Sequence, residues 1–351
     1  MSRVAIIAGD GIGPEVVGEA LKVLEAVEQV FHPGIAIDRL PYGADHYLAT
    51  GVTLPPGEMQ RLGAEYDAIF VGALGDPRVP GNEHARDILL GMRFQLDLYV
   101  NERPARLFDD RLTPLKGKTT GDIDLMIFRE NTEGLYVSVG GTFKQGTPDE
   151  IAIAEELNTR KGVERIIRHA FTWATENRKT RVTMADKANA IAAHGLWRRV
   201  FEEVGREFPA IMRDTRYVDA MAMDLIRAPE TFQVIVTGNL FGDILSDLAS
   251  MLVGGLGVAP SANRHPGKIA MFEPVHGSAP PLVGKDAANP MAAILSLAML
   301  LATLGAKDAA DAVERAVRAA IAVGITTSDL GGSRGLREVG DWIAERVRSR
   351  G

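Results

Sequence analysis

The 351-residue chain contains no cysteine, which excludes disulfides, thiolate metal sites and a cysteine nucleophile. Any metal it binds must be held by oxygen or imidazole. It also lacks long runs of either charge: 39 basic and 46 acidic residues are interspersed, the formal net charge is -7, and no helix-like segment carries a basic stripe. That balance argues against nucleic acid as a partner. Nor is there a hydrophobic run that could span a bilayer, because the longest, MAAILSLAMLLATLGA at 291–306, falls short of the roughly 20 residues required. It follows Asn289-Pro290, ends at Gly305 and reads as a buried helix. The opening Met1-Ser2-Arg3 passes straight into a strand-like segment without a signal-peptide core, so a cytoplasmic protein is expected, with no membrane partner. Internal repeats and low-complexity tracts are absent too.

What is present is a globular composition. A hydrophobic content of 46% over 351 residues suffices for two domains with their own cores. Val- and Ile-rich segments alternate with amphipathic ones: VAII, then a helix over 14–30; IAIDRL, then a helix near 56–62; DAIFVGA, then a helix over 84–93. This alternation predicts an α/β fold with a largely parallel sheet and helices on both faces. From 98 to about 146 the texture changes to short strands and turns, after which a helix over 158–178, the strand RVTMAD and a helix over 195–205 follow.

The stretch AGDGIGPE at 8–15 lies between a strand and a helix, as a dinucleotide fingerprint would. Gly9 and Gly11 fit that fingerprint, but Pro14 takes the place of its third glycine, and no ribose-binding acid follows at the expected distance. Proline suits the first turn of a helix, so the stretch reads as a strand-turn-helix junction and a phosphate cradle must be sought elsewhere. The glycine- and proline-rich loop EPVHGSAPPLVGKDAANP at 273–290, with His276 and several free N–H groups before a helix, is the candidate.

Residues 232–257, FQVIVTGNLFGDILSDLASMLVGGLG, combine a buried strand with a helix over 240–253. Its polar residues, Asp243, Ser246, Asp247 and Ser250, form a single stripe. A satisfied polar network would explain the stripe, and so would a divalent cation, since two carboxylates one turn apart converge and Mg²⁺ or Mn²⁺ prefers oxygen ligands. Arg93, Arg103 and Arg129 stand at strand or helix ends. Taken singly they read as solvated side chains, whereas together their forked guanidinium groups suit two carboxylates. Lys187, just past a strand, and Tyr136, in NTEGLYV, have ordinary surface and packing readings beside possible acid–base roles.

The motifs GDGIGPE, RENTEGLY, ADKANA, YVDAMAMDL, GNLFGDILSDLAS, EPVHGSAP and SDLGG, in this order from Gly9 to Gly332, closely resemble those of the β-decarboxylating dehydrogenases, the isocitrate and isopropylmalate dehydrogenase family. That resemblance implies a two-domain isopropylmalate-dehydrogenase-like fold, with mixed sheets flanked by helices and not a true Rossmann fold. A discontinuous cofactor-side domain (1–99 and 256–351) would join a second domain (100–255) that forms a homodimer interface, with sites shared between subunits. Implied for Arg93, Arg103 and Arg129 is the grip on the malate carboxylates. Asp243 and Asp247 would bind Mg²⁺ or Mn²⁺ with Asp219 of the partner, Asp219 also facing substrate. Lys187 of the partner looks like the base at the C2 hydroxyl and Tyr136 like the acid at C3. NAD would lie along Glu273, His276, Gly277, Ser278, Ala279, Pro280 and Asn289, with Asp329 and Asn189 nearby.

Leu89 and Leu90 match the paired leucines that receive an isopropyl group. Three buried carbons contribute roughly 2.4 kcal/mol, or about fiftyfold over unsubstituted malate. The expected reaction is therefore oxidative decarboxylation of 3-isopropylmalate to 4-methyl-2-oxopentanoate and carbon dioxide, in leucine biosynthesis. Two features point elsewhere: the NTEG form resembles isocitrate and tartrate enzymes, and Arg86 stands where isopropylmalate enzymes carry Glu. D-malate, tartrate, homoisocitrate and isocitrate thus remain as alternatives. Pro281 replaces the ribose-binding Asp of NAD-preferring members, but Pro281-Leu282 also replaces the Lys-Tyr pair of NADP enzymes, and Asp329 lies in an NAD-type segment, so NAD is expected.

Overall fold

The computed structural model describes residues 1–349 and forms twelve strands among them. They are β1 (Ser2–Ile7), β2 (Ile35–Leu40), β3 (Ala68–Val71), β4 (Val100–Arg106), β5 (Asp124–Glu130), β6 (Gly140–Phe143), β7 (Ile151–Ala154), β8 (Arg181–Asp186), β9 (Met212–Tyr217), β10 (Val234–Thr237), β11 (Pro260–Arg264) and β12 (Ala270–Pro274). Ten of them make one sheet in the order β2-β1-β3-β12-β11-β4-β5-β10-β8-β9, while β6 and β7 pair alone. Both wings are parallel, as the alternation of strand and helix predicts. At the centre, β12-β11, β11-β4 and β4-β5 run antiparallel. The sheet is thus mixed and continuous, unlike the all-parallel order of a Rossmann fold.

Strand alternation sorts side chains onto the two faces. In β5, Phe128 joins an apolar cluster with Ile166, Phe171 and Phe201 of helices Arg160–Glu176 and Gly195–Gly205. Its neighbour Ile127 points the other way, to Met221 and Leu225 of helix Val218–Arg227 and Leu245 of helix Asn239–Met251. The other wing packs Val4, Ile6, Phe70 and Phe272 under helices Gly13–Phe31, Met291–Thr303, Lys307–Ala322 and Leu336–Arg348. Helix Met291–Thr303 is buried along nearly all its length, as its uninterrupted apolar sequence requires. No helix among the described residues is long and apolar enough to cross a membrane.

The opening glycine turn fastens the scaffold. Gly9 and Gly11 hold φ of +76° and +57°, and a Cβ on either would lie 2.1 Å from a backbone oxygen, that of Ala73 or of Ser278. Ile12 N–H donates to the Ser278 carbonyl at 2.9 Å, so the turn clasps the 273–290 loop from below. Between the glycines, the buried Asp10 carboxylate accepts from Ala44 N (2.6 Å) and Gly75 N (2.8 Å) and meets His84 Nε2 at 2.7 Å. Asp10→Ala would orphan two buried N–H groups and the imidazole, and should cost about 3–5 kcal/mol of unfolding free energy by denaturant titration. A loss under about 1 kcal/mol would show that this carboxylate is dispensable.

Candidate active site

The polar stripe of helix Asn239–Met251 lies against the antiparallel centre of the sheet, where Arg103 and Arg129 meet it. Arg129, at the end of β5, is 2% exposed and donates from Nε and Nη2 to Asn239 Oδ1 at 3.0 and 2.8 Å. Its Nη1 bonds Asp243. This crossing depends on Gly242, whose Cβ would stand 2.5 Å from the Arg129 side chain. Arg103, in β4, donates to Asn101 Oδ1 (2.9 Å) and Ser246 Oγ (3.3 Å), with Asp247 at 3.7 Å and Asp243 at 4.0 Å. Arg93, in the last turn of helix Glu83–Gln95, pairs with Glu273 at 3.1 Å. Burial, then Arg93, lowers the pKa of Arg103. Burial, followed by Arg93 and Arg103, lowers that of Arg129. Three buried cations crowded together make a site that favours anions. Among the described residues the carboxylates close to them are Glu273, Asp243 and Asp247, so the formal charge of the cluster cancels.

Tyr136 donates its hydroxyl to Asp243 Oδ2 at 3.0 Å, and the Arg129 guanidinium lies 5.3 Å from its ring centroid. Burial, then Asp243, raises the tyrosine pKa, which keeps the proton on the phenol at neutral pH. Lys187, following β8, does not enter this cluster. It pairs at 2.6 Å with Asp219 of helix Val218–Arg227, whose side chain is 61% exposed and whose carboxyl the lysine holds below its ordinary range. The structure thus assembles Arg93, Arg103, Arg129, Tyr136, Asp243 and Asp247 in one place and Lys187 with Asp219 in another. Among the described residues, no group of three acidic or imidazole side chains within one chain could hold a metal.

Comparison with known proteins resolves the family. The isocitrate/isopropylmalate dehydrogenase pattern matches residues 3–343. The chain belongs to the isocitrate/isopropylmalate dehydrogenase family. A 3-isopropylmalate dehydrogenase from Thermobifida fusca is 45% identical to it, the alignment covering 99% of this chain and 98% of that protein. Another from Nocardia farcinica is 44% identical, covering 98% of this chain and all (100%) of that one. Among solved structures, an isocitrate dehydrogenase from Methylococcus capsulatus superposes with a TM-score of 0.89 at 40% identity, covering 99% of this chain and 100% of the other. A β-decarboxylating dehydrogenase from Thermococcus kodakarensis does so with 0.81 at 35% identity, covering 99% and 97%. This protein is a β-decarboxylating dehydrogenase, in a family that uses NAD(P) and a metal ion.

The residues of this isocitrate/isopropylmalate dehydrogenase fit both groups. Asp243 and Asp247 offer partly exposed carboxylates one helical turn apart, the donor type that Mg²⁺ or Mn²⁺ prefers. In the 273–290 loop, His276 Nδ1 lies 3.1 Å from the Gly277 carbonyl, which makes it the donor and leaves Nε2 an acceptor. That Nε2 is buried without a partner, and burial pushes the imidazole pKa down, so the ring stays neutral. An orphaned acceptor in a loop with Ala279 at φ +39° marks a place for a donor from outside the chain. Asn289 Nδ2 donates to Asp329 Oδ2 at 3.0 Å, and a Cβ on Gly257 would strike both side chains. Glu273 pairs with Arg93 and accepts from Asn263 Nδ2 at 2.9 Å. Gly277 and Pro280 are exposed, Ser278 half-buried, and Asn189 is an exposed turn residue next to Lys187.

Leu89 and Leu90 are unequal. Leu89 packs against the buried Ile88–Met92 cluster, whereas Leu90 lines a cleft of about 650 Å³ with Arg86, Val137 and Ser138. Sequence reasoning missed Asn239, which fixes Arg129, and the buried Asn101–Asn263–Asn131 network beneath Arg103 (Asn101 to Asn263 at 3.0 Å, Asn131 to Asn263 at 2.9 Å). Asn101 and Arg103 stand two apart in β4 and therefore share a face, which was the available signal.

Proposed function

We propose that the protein catalyses the NAD-dependent oxidative decarboxylation of 3-isopropylmalate to 4-methyl-2-oxopentanoate and carbon dioxide, a step of leucine biosynthesis, as a cytoplasmic homodimer. The observation that carries this reading is the buried arginine cluster, with Leu90 on the same helix as Arg93 and lining a cleft. Curated relatives of the same name at about 45% identity support it. Arg93, Arg103 and Arg129 would bind the two malate carboxylates, and Leu90, with Leu89 behind it, would receive the isopropyl group. Asp243 and Asp247, joined by Asp219 of a second copy, would hold the metal, and His276, Gly277, Ser278, Ala279, Pro280, Asn289, Asp329 and Asn189 the NAD. Bound there, Mg²⁺ or Mn²⁺ supplies Lewis-acid polarisation at the C2 oxygen and NAD supplies the hydride acceptor. Lys187 of the second copy would take the C2 hydroxyl proton, and Tyr136, which holds its proton firmly, would deliver one to C3 after carbon dioxide leaves. A dianionic substrate and a divalent cation entering together preserve the neutrality of the arginine–carboxylate cluster, which favours their joint binding.

Apolar exposure supports the dimer. Met223 and Ile226 stand open beside Asp219, as do Ile244 and Met251 beside Asp243. The isolated β6-β7 ribbon exposes Phe143, Ile151 and Ile153, although a two-stranded sheet is marginal alone. We also propose that residues 1–99 with 256–351, of which 350 and 351 lie outside the described residues, form the cofactor-side domain and 100–255 the other. The buried members of the apolar clusters divide along that line, while Tyr99, Phe108 and Leu112 pack across it.

Arg86, which lines the Leu90 cleft with Asp87 at 3.7 Å, favours a second reading, a D-malate or tartrate dehydrogenase of relaxed specificity. NADH formation with Mn²⁺ or Mg²⁺, offering 3-isopropylmalate, D-malate, tartrate, isocitrate and homoisocitrate, decides between them. The expected kcat/KM for isopropylmalate exceeds that for D-malate by about fiftyfold, and NADP supports slower turnover than NAD. Equal or better turnover of D-malate or tartrate would replace the first reading with the second.

A further inference from the structure

The backbone of Lys187 is held by residues to which no role has yet been given. Its N–H donates to Nδ1 of His194 at 3.0 Å. Nδ1 is therefore the acceptor and Nε2 carries the proton, facing Glu156 Oε1 at 2.8 Å. The ring is 3% exposed, and its edge meets Phe241 at 5.5 Å between centroids. Phe241 belongs to the helix that carries Asp243 and Asp247. Asn158 Nδ2 donates to the same Glu156 oxygen at 3.0 Å, so the carboxylate is itself anchored.

His194 occupies the N-cap of helix Gly195–Gly205, where a polar side chain ordinarily bonds the free N–H groups of its own helix. It makes no such bond and turns to Lys187 instead. The Lys187 carbonyl accepts from Ala190 N and Ile191 N at 2.9 and 2.8 Å, closing the loop from the other side. Both backbone polar groups of the lysine are thereby fixed, while its Nζ stays outside the loop with Asp219.

We infer that His194, oriented by Glu156, is a positioning residue that sets the Lys187 loop against helix Asn239–Met251 of its own chain and so fixes where Lys187 is presented to the site of the second copy. The inference rests on Lys187 acting as the base. A base misplaced by a fraction of an ångström loses rate without losing substrate affinity.

The test is the kcat and KM of His194→Leu, His194→Asn and Glu156→Leu in the full chain with NAD and Mn²⁺. Asparagine puts a carboxamide oxygen near the place of Nδ1, whereas leucine fills space without an acceptor. His194→Leu should lower kcat roughly ten- to a hundredfold with KM for isopropylmalate within about twofold, and His194→Asn should recover kcat to within about threefold of wild type. Glu156→Leu should lower kcat in the same direction, and it carries the test if His194→Leu does not fold. Equal kcat for the leucine and asparagine variants of His194, or a wild-type kcat in His194→Leu or Glu156→Leu, overturns the inference, because packing alone would move melting temperature and not this pattern. Lys187→Met separates the two claims: activity kept there defeats the base assignment itself, while activity lost there and unmoved in His194→Leu defeats only the positioning role.

Discussion

Mixing two inactive variants, Lys187→Met and Asp243→Asn, should restore turnover once their subunits exchange. Each alone should lose about 10²- to 10⁴-fold in kcat, the usual contribution of a positioned acid–base group or of metal-borne charge stabilisation. The recovery follows from the two separate groupings. Asp243 sits with Arg129 and Tyr136, while Lys187 reaches outward to Asp219, which is largely exposed. If a site takes Asp243 from one copy and Lys187 from the other, a mixed dimer has one site with both residues intact and one with both lost. Random exchange then leaves about a quarter of the sites intact, and NADH formation should approach a quarter of the wild-type rate. No recovery, in preparations where mixed dimers are verified by mass, would mean that Lys187 acts within its own chain.

Replacing Arg129 with Met should lower kcat/KM for isopropylmalate about 10²- to 10³-fold, the scale of removing one partner from a buried, hydrogen-bonded charge pair. Lysine should not rescue it. A point charge cannot reproduce the fork that spans Asn239 and Asp243 from a buried position. The loss should fall on KM and kcat together, because Arg129 also faces Tyr136 and balances Asp243. A change below tenfold in steady-state assays would remove Arg129 from substrate recognition.

Much of this was legible in the chain. Periodicity located the helix over 195–205 to the residue, and Asp243, Ser246 and Asp247 of the polar stripe meet Arg129 and Arg103, while Ser250 bonds the Ser246 carbonyl of its own helix. Periodicity reports that a face is buried, but not what buries it, and here the partners lie far apart. Arg129 and Asn239 are 110 residues apart, Arg93 and Glu273 180. For the same reason, Asp10 could be read only as part of a glycine turn, although its carboxylate joins segments 34, 65 and 74 residues away. No sequence pattern singles out His194, since only three-dimensional placement brings Glu156 and Phe241 to its ring. The antiparallel centre was hidden as well. The strands β4 (VNERPAR) and β11 (PSANR) are polar because they floor the site, which conceals the apolar signature of buried strands.

Strand β4 carries ladders on both sides, to β11 and to β5, so the two wings share one unbroken ribbon and no slack tether joins them. Rotation of one wing against the other is then a change of twist in that ribbon, and it meets resistance as a torsion bar does. A closing rotation would have to twist that ribbon, so entering ligands would supply the work and the ribbon would return it when they leave.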